Sequence, residues 1–352
     1  MGATVQAQVW LGNRDFSLRE FDMPNPGPGE AVAAVDFATV CGSDVHTVHG
    51  RRSGPYPGIL GHEAVGRIVS LGADGGVDQA GAALAVGDRV VWSVTAACRE
   101  CDRCRAGHSA KCRKLLKTGH EPLSGPWPLS GGYATHIVLH RGLTLVRVPD
   151  TVPDPAAAMS ACALATVMAC LEAAGDLAGR RVLVSGVGML GLCACAVASE
   201  RGASWVEARD PNPQRRALAC RFGADRGVDP AHADTGVVTD VVIELSGLPA
   251  AVSTALNSVD IGGRVVLAGS VAPRGTVPVD PEHLVRSLIT IVGVHNYEPR
   301  HLAAAIDFLT ATNRYDFTPV IAEPASLADL PPELTDAGGA VLRRAVRPSH
   351  TA

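Results

Sequence analysis

The chain has 352 residues, 47% hydrophobic and 19% charged, enough to bury one large or two moderate cores in a soluble globular protein. A formal net charge of −4 argues against a nucleic-acid or membrane-surface partner. The sequence shows neither a secretory leader nor an unbroken apolar run of about 20 residues, so a cytoplasmic protein with ten reduced cysteines is expected.

Residues 1 to about 150 carry short alternating runs, as in Glu30–Asp36 and Gly87–Val94, between frequent turn signals such as Pro24–Gly29. This pattern predicts an all-β segment. Ala73–Ala85 reads as a loop-like insertion. Cys98, Cys101, Cys104 and Cys112 follow, spaced C-x2-C-x2-C-x7-C. Four thiolates at this spacing close a tetrahedral site around zinc with no open position, so the site is structural. All three lysines, Lys111, Lys114 and Lys117, lie beside this cluster. Asp154–Gly175 is Ala-rich with a helical period. Short apolar runs then alternate with helical stretches: Val182–Val184, Leu190–Glu200, Trp205–Ala208, Gln214–Phe222, Asp240–Leu245, Arg264–Ala268 and Ile289–Val294. That alternation predicts a parallel sheet with helices on both faces. A helix at about Arg300–Thr312 precedes a Pro-rich tail of weak pattern.

Gly186, Gly188 and Gly191 form G-x-G-x-x-G between an apolar strand and a helical run, with Asp210 about 20 residues beyond. The glycines allow a tight turn and close backbone approach to a pyrophosphate, which the helix N-terminus attracts. Asp210 would accept from ribose hydroxyls and repel a 2′-phosphate, favouring NAD over NADP, while Arg209 and Arg215 beside it act the other way. A second metal site is also legible. Cys41 and His62 in the β region, with Cys162 before the α/β region, make a Cys-His-Cys set that leaves a fourth position open for water or substrate.

With these residues in order, the chain resembles the zinc-containing medium-chain alcohol dehydrogenases over essentially its whole length. Five motifs carry the resemblance: Cys41–His46, Gly61–Gly66, the four-cysteine lobe, Cys162–Thr166, and the glycine loop with Asp210. The resemblance implies an α/β architecture: a GroES-like β-rich catalytic domain plus a Rossmann doubly wound parallel-sheet domain. The catalytic domain would take residues 1–160, with a structural zinc lobe at 98–112. An NAD-binding domain would take 161–296, and 297–352 would return to the catalytic domain, leaving the active site in the cleft. It implies two Zn2+ per subunit, NAD, and a homodimer or homotetramer.

Residue by residue, the resemblance makes Cys41, His62 and Cys162 the catalytic zinc ligands, with Glu63 beside them and Asp44 holding the ring N–H of His62. Ser43 would take the substrate proton and His46 would end the relay. Thr166 would pack on the nicotinamide, with Val294 and Asn296 at its carboxamide. Gly42 stands where some members carry a pyrophosphate-binding Arg, a charge that Arg343 or Arg344 would replace. The expected reaction is reversible hydride transfer between a small-molecule alcohol and NAD.

Arg51, Arg52, Lys117 and His120 point to an anionic substrate, and the tracts Lys117–Glu121 and Val294–Tyr297 resemble a branch linked with phosphonate metabolism. The alternative is that these charges are solvated loop residues. A polyol or amino-alcohol dehydrogenase of the same family is the competing enzyme, and a non-catalytic zinc and dinucleotide-binding protein is the competing class. Trp127 and Tyr133 read as pocket or core, and Cys170, Cys193, Cys195 and Cys220 as small buried hydrophobes.

Overall fold

Period-two burial shapes the N-terminal half. In the computed structural model, which describes residues 4–54, 56–233, 238–335 and 341–348, β1 (Thr4–Gly12) buries Val5, Ala7 and Val9 completely. β2 (Asp15–Asp22) folds back on it. β3 (Ala31–Val40) is buried along most of its length and runs directly into α1 (Gly42–Val48). β4 (Gly58–Ile59), β5 (Glu63–Leu71), β6 (Arg89–Trp92) and β7 (Thr95–Ala96) follow. A short α2 (Asp102–Arg105), then β8 (Leu116–Lys117), β9 (His136–Leu139) and β10 (Leu145–Arg147), complete this stretch.

One continuous helix comes next: α3 (Asp154–Met159), a π-helical turn at Ser160–Leu164, and α4 (Ala165–Ala174). It is long and apolar enough to cross a membrane, although Ser160, Thr166 and Glu172 interrupt the apolar run, and most of it is buried inside the protein. α3 packs on β3 and β5, and the apolar surface therefore belongs to a core.

The α/β stretch runs β11 (Arg181–Ser185), α5 (Met189–Glu200), β12 (Trp205–Arg209), α6 (Pro213–Arg221), β13 (Arg226–Val228), β14 (Thr239–Glu244), α7 (Pro249–Asn257), β15 (Val259–Leu267), α8 (Pro281–Arg286) and β16 (Thr290–Gly293). Its six strands are parallel in the order β13-β12-β11-β14-β15-β16, a doubly wound arrangement. Periodicity did not disclose β13, α7 or α8. β13 is three residues long and carries a glycine. β15 begins at Val259, before the run visible from Arg264, because an irregular register and Gly262 at φ +73° break its alternation.

α9 (Pro299–Ala311), α10 (Leu330–Thr335) and β17 (Arg344–Val346) end the described chain. β17 is an ordered strand inside the weakly patterned tail. It pairs with β3, extending an antiparallel sheet of order β10-β6-β5-β3-β17, with β9 also on β3. The core on this sheet includes Val35, Ala64, Trp92, Trp127, Tyr133 and Val346. By packing, residues up to Cys162 and from Glu298 onward form one compact unit, and Ala163–Tyr297 form a second.

Gly66 of β5 has no room for a side chain: a Cβ there would lie 2.1 Å from the Ala34 carbonyl oxygen of β3. Gly66→Ala is expected to cost about 1–3 kcal/mol of stability, seen as a lower urea midpoint. An unchanged midpoint would mean that β3 and β5 are free to shift apart.

Candidate metal and dinucleotide sites

Strand register builds the first site. β3 and β5 pair with Thr39 opposite Glu63, and β17 pairs with β3 with Arg344 opposite Val40. Cys41, just past β3, and His62, just before β5, are thereby set side by side. Cys162 arrives from the π turn, where the widened helix re-aims a side chain. Ligand atoms of Cys41, His62, Glu63 and Cys162 lie within 4.8 Å of one another.

A buried polar chain fixes these groups. Asp44 Oδ1 lies 3.2 Å from His62 Nδ1, and Asp44 Oδ2 accepts the Cys41 backbone N–H at 3.2 Å. With Nδ1 tied to a carboxylate, Nε2 of His62 is the atom left for a metal. Ser43 Oγ sits 3.3 Å from that Nε2. Glu63 accepts from Thr39 Oγ1 at 2.6 Å and from Arg343 Nη2 at 2.8 Å. Arg343 is thus engaged by Glu63, and Arg344 lies 3.3 Å from Glu333.

The electrostatics match this geometry. A hydrogen bond from Cys162 holds the Cys41 thiol well below its usual range, and the same bond, with burial, pushes Cys162 well above it. Two sulfurs therefore share one proton. Burial alone would lower the His62 pKa, but Asp44 and Cys41 outweigh it and raise it well above normal. Burial lifts Glu63 to about 8 against the pull of Arg343. Two sulfurs and one imidazole brought within reach of one another fit a zinc ion.

The four-cysteine lobe also fits zinc. Sulfur separations are 3.5 Å for Cys101–Cys104, 3.9 Å for Cys101–Cys112 and 3.4 Å for Cys98–Cys112. A tetrahedron with Zn–S bonds of about 2.3 Å has edges of about 3.8 Å. Backbone N–H groups of Arg113 and Cys104 hold Cys101 down to about 6, favouring the thiolate. Glu298, at the N-cap of α9, clamps the lobe by accepting from Ser109 N at 3.0 Å, Ala110 N at 3.1 Å and the Ser109 hydroxyl. The sequence offered only an acid at a helix start as a sign of this role.

The glycine loop lies in the second unit. Gly186 takes φ +92°, and a Cβ on Gly191 would lie 2.2 Å from the Gly186 carbonyl oxygen. A Cβ on Gly188, the N-cap of α5, would meet nothing within 4 Å and would project into open space above the helix end. A cavity of about 670 Å³ there is lined by Gly186, Gly188, Asp210, Arg215, Ser246 and Arg274 among others, a cradle suited to a dinucleotide. Asp210 is partly committed to its own loop: it accepts from Val187 N–H and Asn212 N–H, both at 2.9 Å. Arg215 Nη1 lies 3.9 Å from Asp210, whereas Arg209 is buried against Glu207 at 2.7 Å. Thr166 is buried in α4, Val294 follows β16, and Asn296 takes φ +60° with its Nδ2 buried and unbonded among the described residues.

The remaining predicted residues separate. His46 is on α1 and Arg51 is exposed. Arg52 and Lys117 are half-buried, and Glu121, whose Oε1 accepts the Lys117 backbone N–H at 2.8 Å, is near enough to attract the Lys117 ammonium. Burial, with Arg52 and Lys111 nearby, lowers the Lys117 pKa. His120 stands 5.4 Å from His62, ring to ring. Its Nδ1 is 3.0 Å from the Thr118 carbonyl, which leaves Nε2 as a buried acceptor without a partner among the described residues. Burial pushes His120 down to about 4, so it is neutral at pH 7. Trp127 and Tyr133 are core residues. Cys170, Cys193 and Cys195 are buried, but Cys220 is exposed, because its position on α6 faces away from the sheet.

Residues 27–150 match the alcohol dehydrogenase GroES-like domain, and residues 190–311 match the zinc-binding dehydrogenase domain. The chain is 31% identical to 5-exo-hydroxycamphor dehydrogenase of Pseudomonas putida, over 96% of this chain and 97% of that protein. It is 30% identical to L-threonine 3-dehydrogenase of Deinococcus radiodurans, over 88% of each. An alcohol dehydrogenase from Thermotoga maritima superposes with a TM-score of 0.90 at 26% identity, covering 99% of this chain and all of that one. The paired GroES-like and Rossmann units, with their metal-ligand and glycine motifs, place this chain in the zinc-dependent medium-chain alcohol dehydrogenase family, oxidoreductases acting on CH–OH groups.

Proposed function

We propose that this enzyme interconverts an anionic alcohol and its carbonyl compound, using NAD in preference to NADP. The observation that carries the anionic substrate is half-buried Lys117, whose ammonium is disfavoured by burial and then by the neighbouring charges of Arg52 and Lys111, with Glu121 opposing them. A phosphonate, phosphate or carboxylate group would relieve that repulsion. Bound zinc supplies Lewis acidity to the substrate oxygen, and bound NAD carries the hydride. Ser43, beside Nε2 of His62, receives the substrate proton, and His46, one turn along α1, receives it from the relay. Asp44 keeps His62 oriented. Asp210 at the cavity edge disfavours a 2′-phosphate, which supports NAD.

A second reading is an amino alcohol. It draws on the similarity to L-threonine 3-dehydrogenase and on His120, whose neutral Nε2 can accept from an ammonium group.

Metal content should separate the two clusters. Cys41→Ala should lose one of two zinc ions and abolish turnover with the melting temperature kept. Cys104→Ser should lose the other and lower the melting temperature. Near-normal kcat in Cys41→Ala would overturn the ligand assignment.

The glycines should divide in the same manner. Gly188→Ala should fold normally and weaken NADH binding, read by fluorescence titration, because its methyl would occupy the open space at the helix end. Gly191→Ala should instead lose about 1–3 kcal/mol of stability. Unaltered NADH affinity in Gly188→Ala would place the dinucleotide elsewhere.

Substrate class is tested by NADH formation with neutral alcohols against hydroxyalkyl phosphonates, phosphates and carboxylates of equal length, with L-threonine included. An anionic member should be preferred, and Lys117→Ala should reduce its kcat/KM roughly 10–100-fold, the loss of one charged hydrogen bond of about 1.5–3 kcal/mol. Preference for the neutral partners would return Arg52 and Lys117 to a solvated role.

A further inference from the structure

Tyr133 is fully buried in the core of the first unit, 1% exposed, and its ring lies against Gly61, the residue before His62. Gly61 takes φ +93°, and a Cβ there would sit 2.6 Å from Tyr133 Cδ1, so only glycine lets the ring approach so closely. Backbone bonds lock this contact: Tyr133 N–H donates to Leu60 O at 3.1 Å, and Gly132 N–H donates to Gly61 O at 2.8 Å.

Phenylalanine would satisfy all of that packing, so the hydroxyl has a separate task. Tyr133 Oη donates to Asp44 Oδ2 at 2.8 Å, shorter than its 3.4 Å distance to the Thr39 carbonyl. Asp44 is itself fully buried. A desolvated carboxylate needs compensation, and this one has the phenol and the Cys41 N–H as donors on Oδ2, with the His62 ring as an ion-pair neighbour 3.2 Å from Oδ1. One carboxylate therefore braces two residues of the Cys41-His62-Cys162 cluster, and the phenol fixes its rotation.

We propose that Tyr133 is a positioning residue for the catalytic zinc, acting through Asp44 on both His62 and Cys41. The proposal rests on the assignment of Cys41, His62 and Cys162 as ligands. Removing the hydroxyl leaves Oδ2 with the longer Cys41 N–H bond alone, so the imidazole and the cysteine backbone lose a common anchor.

Tyr133→Phe, which keeps the ring, tests this in the zinc-loaded enzyme. Release of zinc to a chromophoric chelator should show two phases, one per site. The phase lost in Cys41→Ala should become about 10-fold faster in Tyr133→Phe, as removal of an outer hydrogen-bond partner does in zinc sites. The phase belonging to the four-cysteine lobe should be unchanged. With cobalt in the same site, the visible ligand-field bands should shift. Replacing Tyr133 with 3-fluorotyrosine, a stronger donor, should slow the same phase. An unchanged release rate and cobalt spectrum, with or without a drop in melting temperature, would reduce Tyr133 to a core residue. If Cys41→Ala removed no zinc phase at all, the ligand assignment would fail instead, and the two failures are therefore distinct.

Discussion

The register of β3 against β5 and β17 is the constraint on which the metal cluster depends. Side chains alternate faces along a strand, so a slip of one residue between β3 and β5 would turn Thr39 away from Glu63. Cys41 and His62 would then part, since each follows or precedes a paired residue with no slack between. β17 adds the third rail, because its pairing with Val40 carries Arg343 to Glu63. Glycine at position 66 permits the close approach that this register requires. The ligands are thus positioned by backbone pairing first and by side-chain bonding second.

Side-chain bonding then sets the charge. Asp44 and Glu63 are both completely buried, a cost that an isolated carboxylate could not bear. Asp44 has His62 beside one oxygen and two donors on the other, whereas Arg343 and Thr39 only partly offset the burial that lifts Glu63 to about 8. The two sulfurs remain the underserved groups, one held low and its neighbour driven high. A divalent cation between them removes that conflict and makes both thiolates favourable.

Motifs made of local spacing were legible in the sequence. Cys98, Cys101, Cys104 and Cys112 are held together by a short loop, and the glycine loop is a single turn, so spacing alone carries their geometry. The alternation of strand and helix beyond Arg181 was legible for the same reason. Partners fixed by distant pairing were not. Arg343 reaches Glu63 across 280 residues, Glu298 reaches Ser109 across 189, and Tyr133 reaches Asp44 across 89. In the sequence Arg343 read as a charge for phosphate, Tyr133 as pocket or core, and Glu298 only as an acid at a helix start. β13 escaped because three residues hold too little alternation to register, and β17 because its pattern means nothing without β3 beside it.

The four-cysteine lobe has no open position for chemistry, yet it positions the chain that follows it. β7 and β8 are two residues each and pair with Thr95 opposite Lys117. Strands so short do not hold a hairpin by themselves, least of all across a long connecting loop. The loop between them is the lobe itself, entered at Cys98 just after β7 and left at Cys112 shortly before β8. Closing four sulfurs on one ion ties the ends of that loop, and Glu298 holds its 3-10 turn at Ser109–Lys111. Lys117 is the last residue of β8, and His120 follows three residues later. Lys117 and the neutral His120, whose ring stands 5.4 Å from that of His62, therefore take their place from the closure of the four-sulfur loop rather than from the two-residue strands alone.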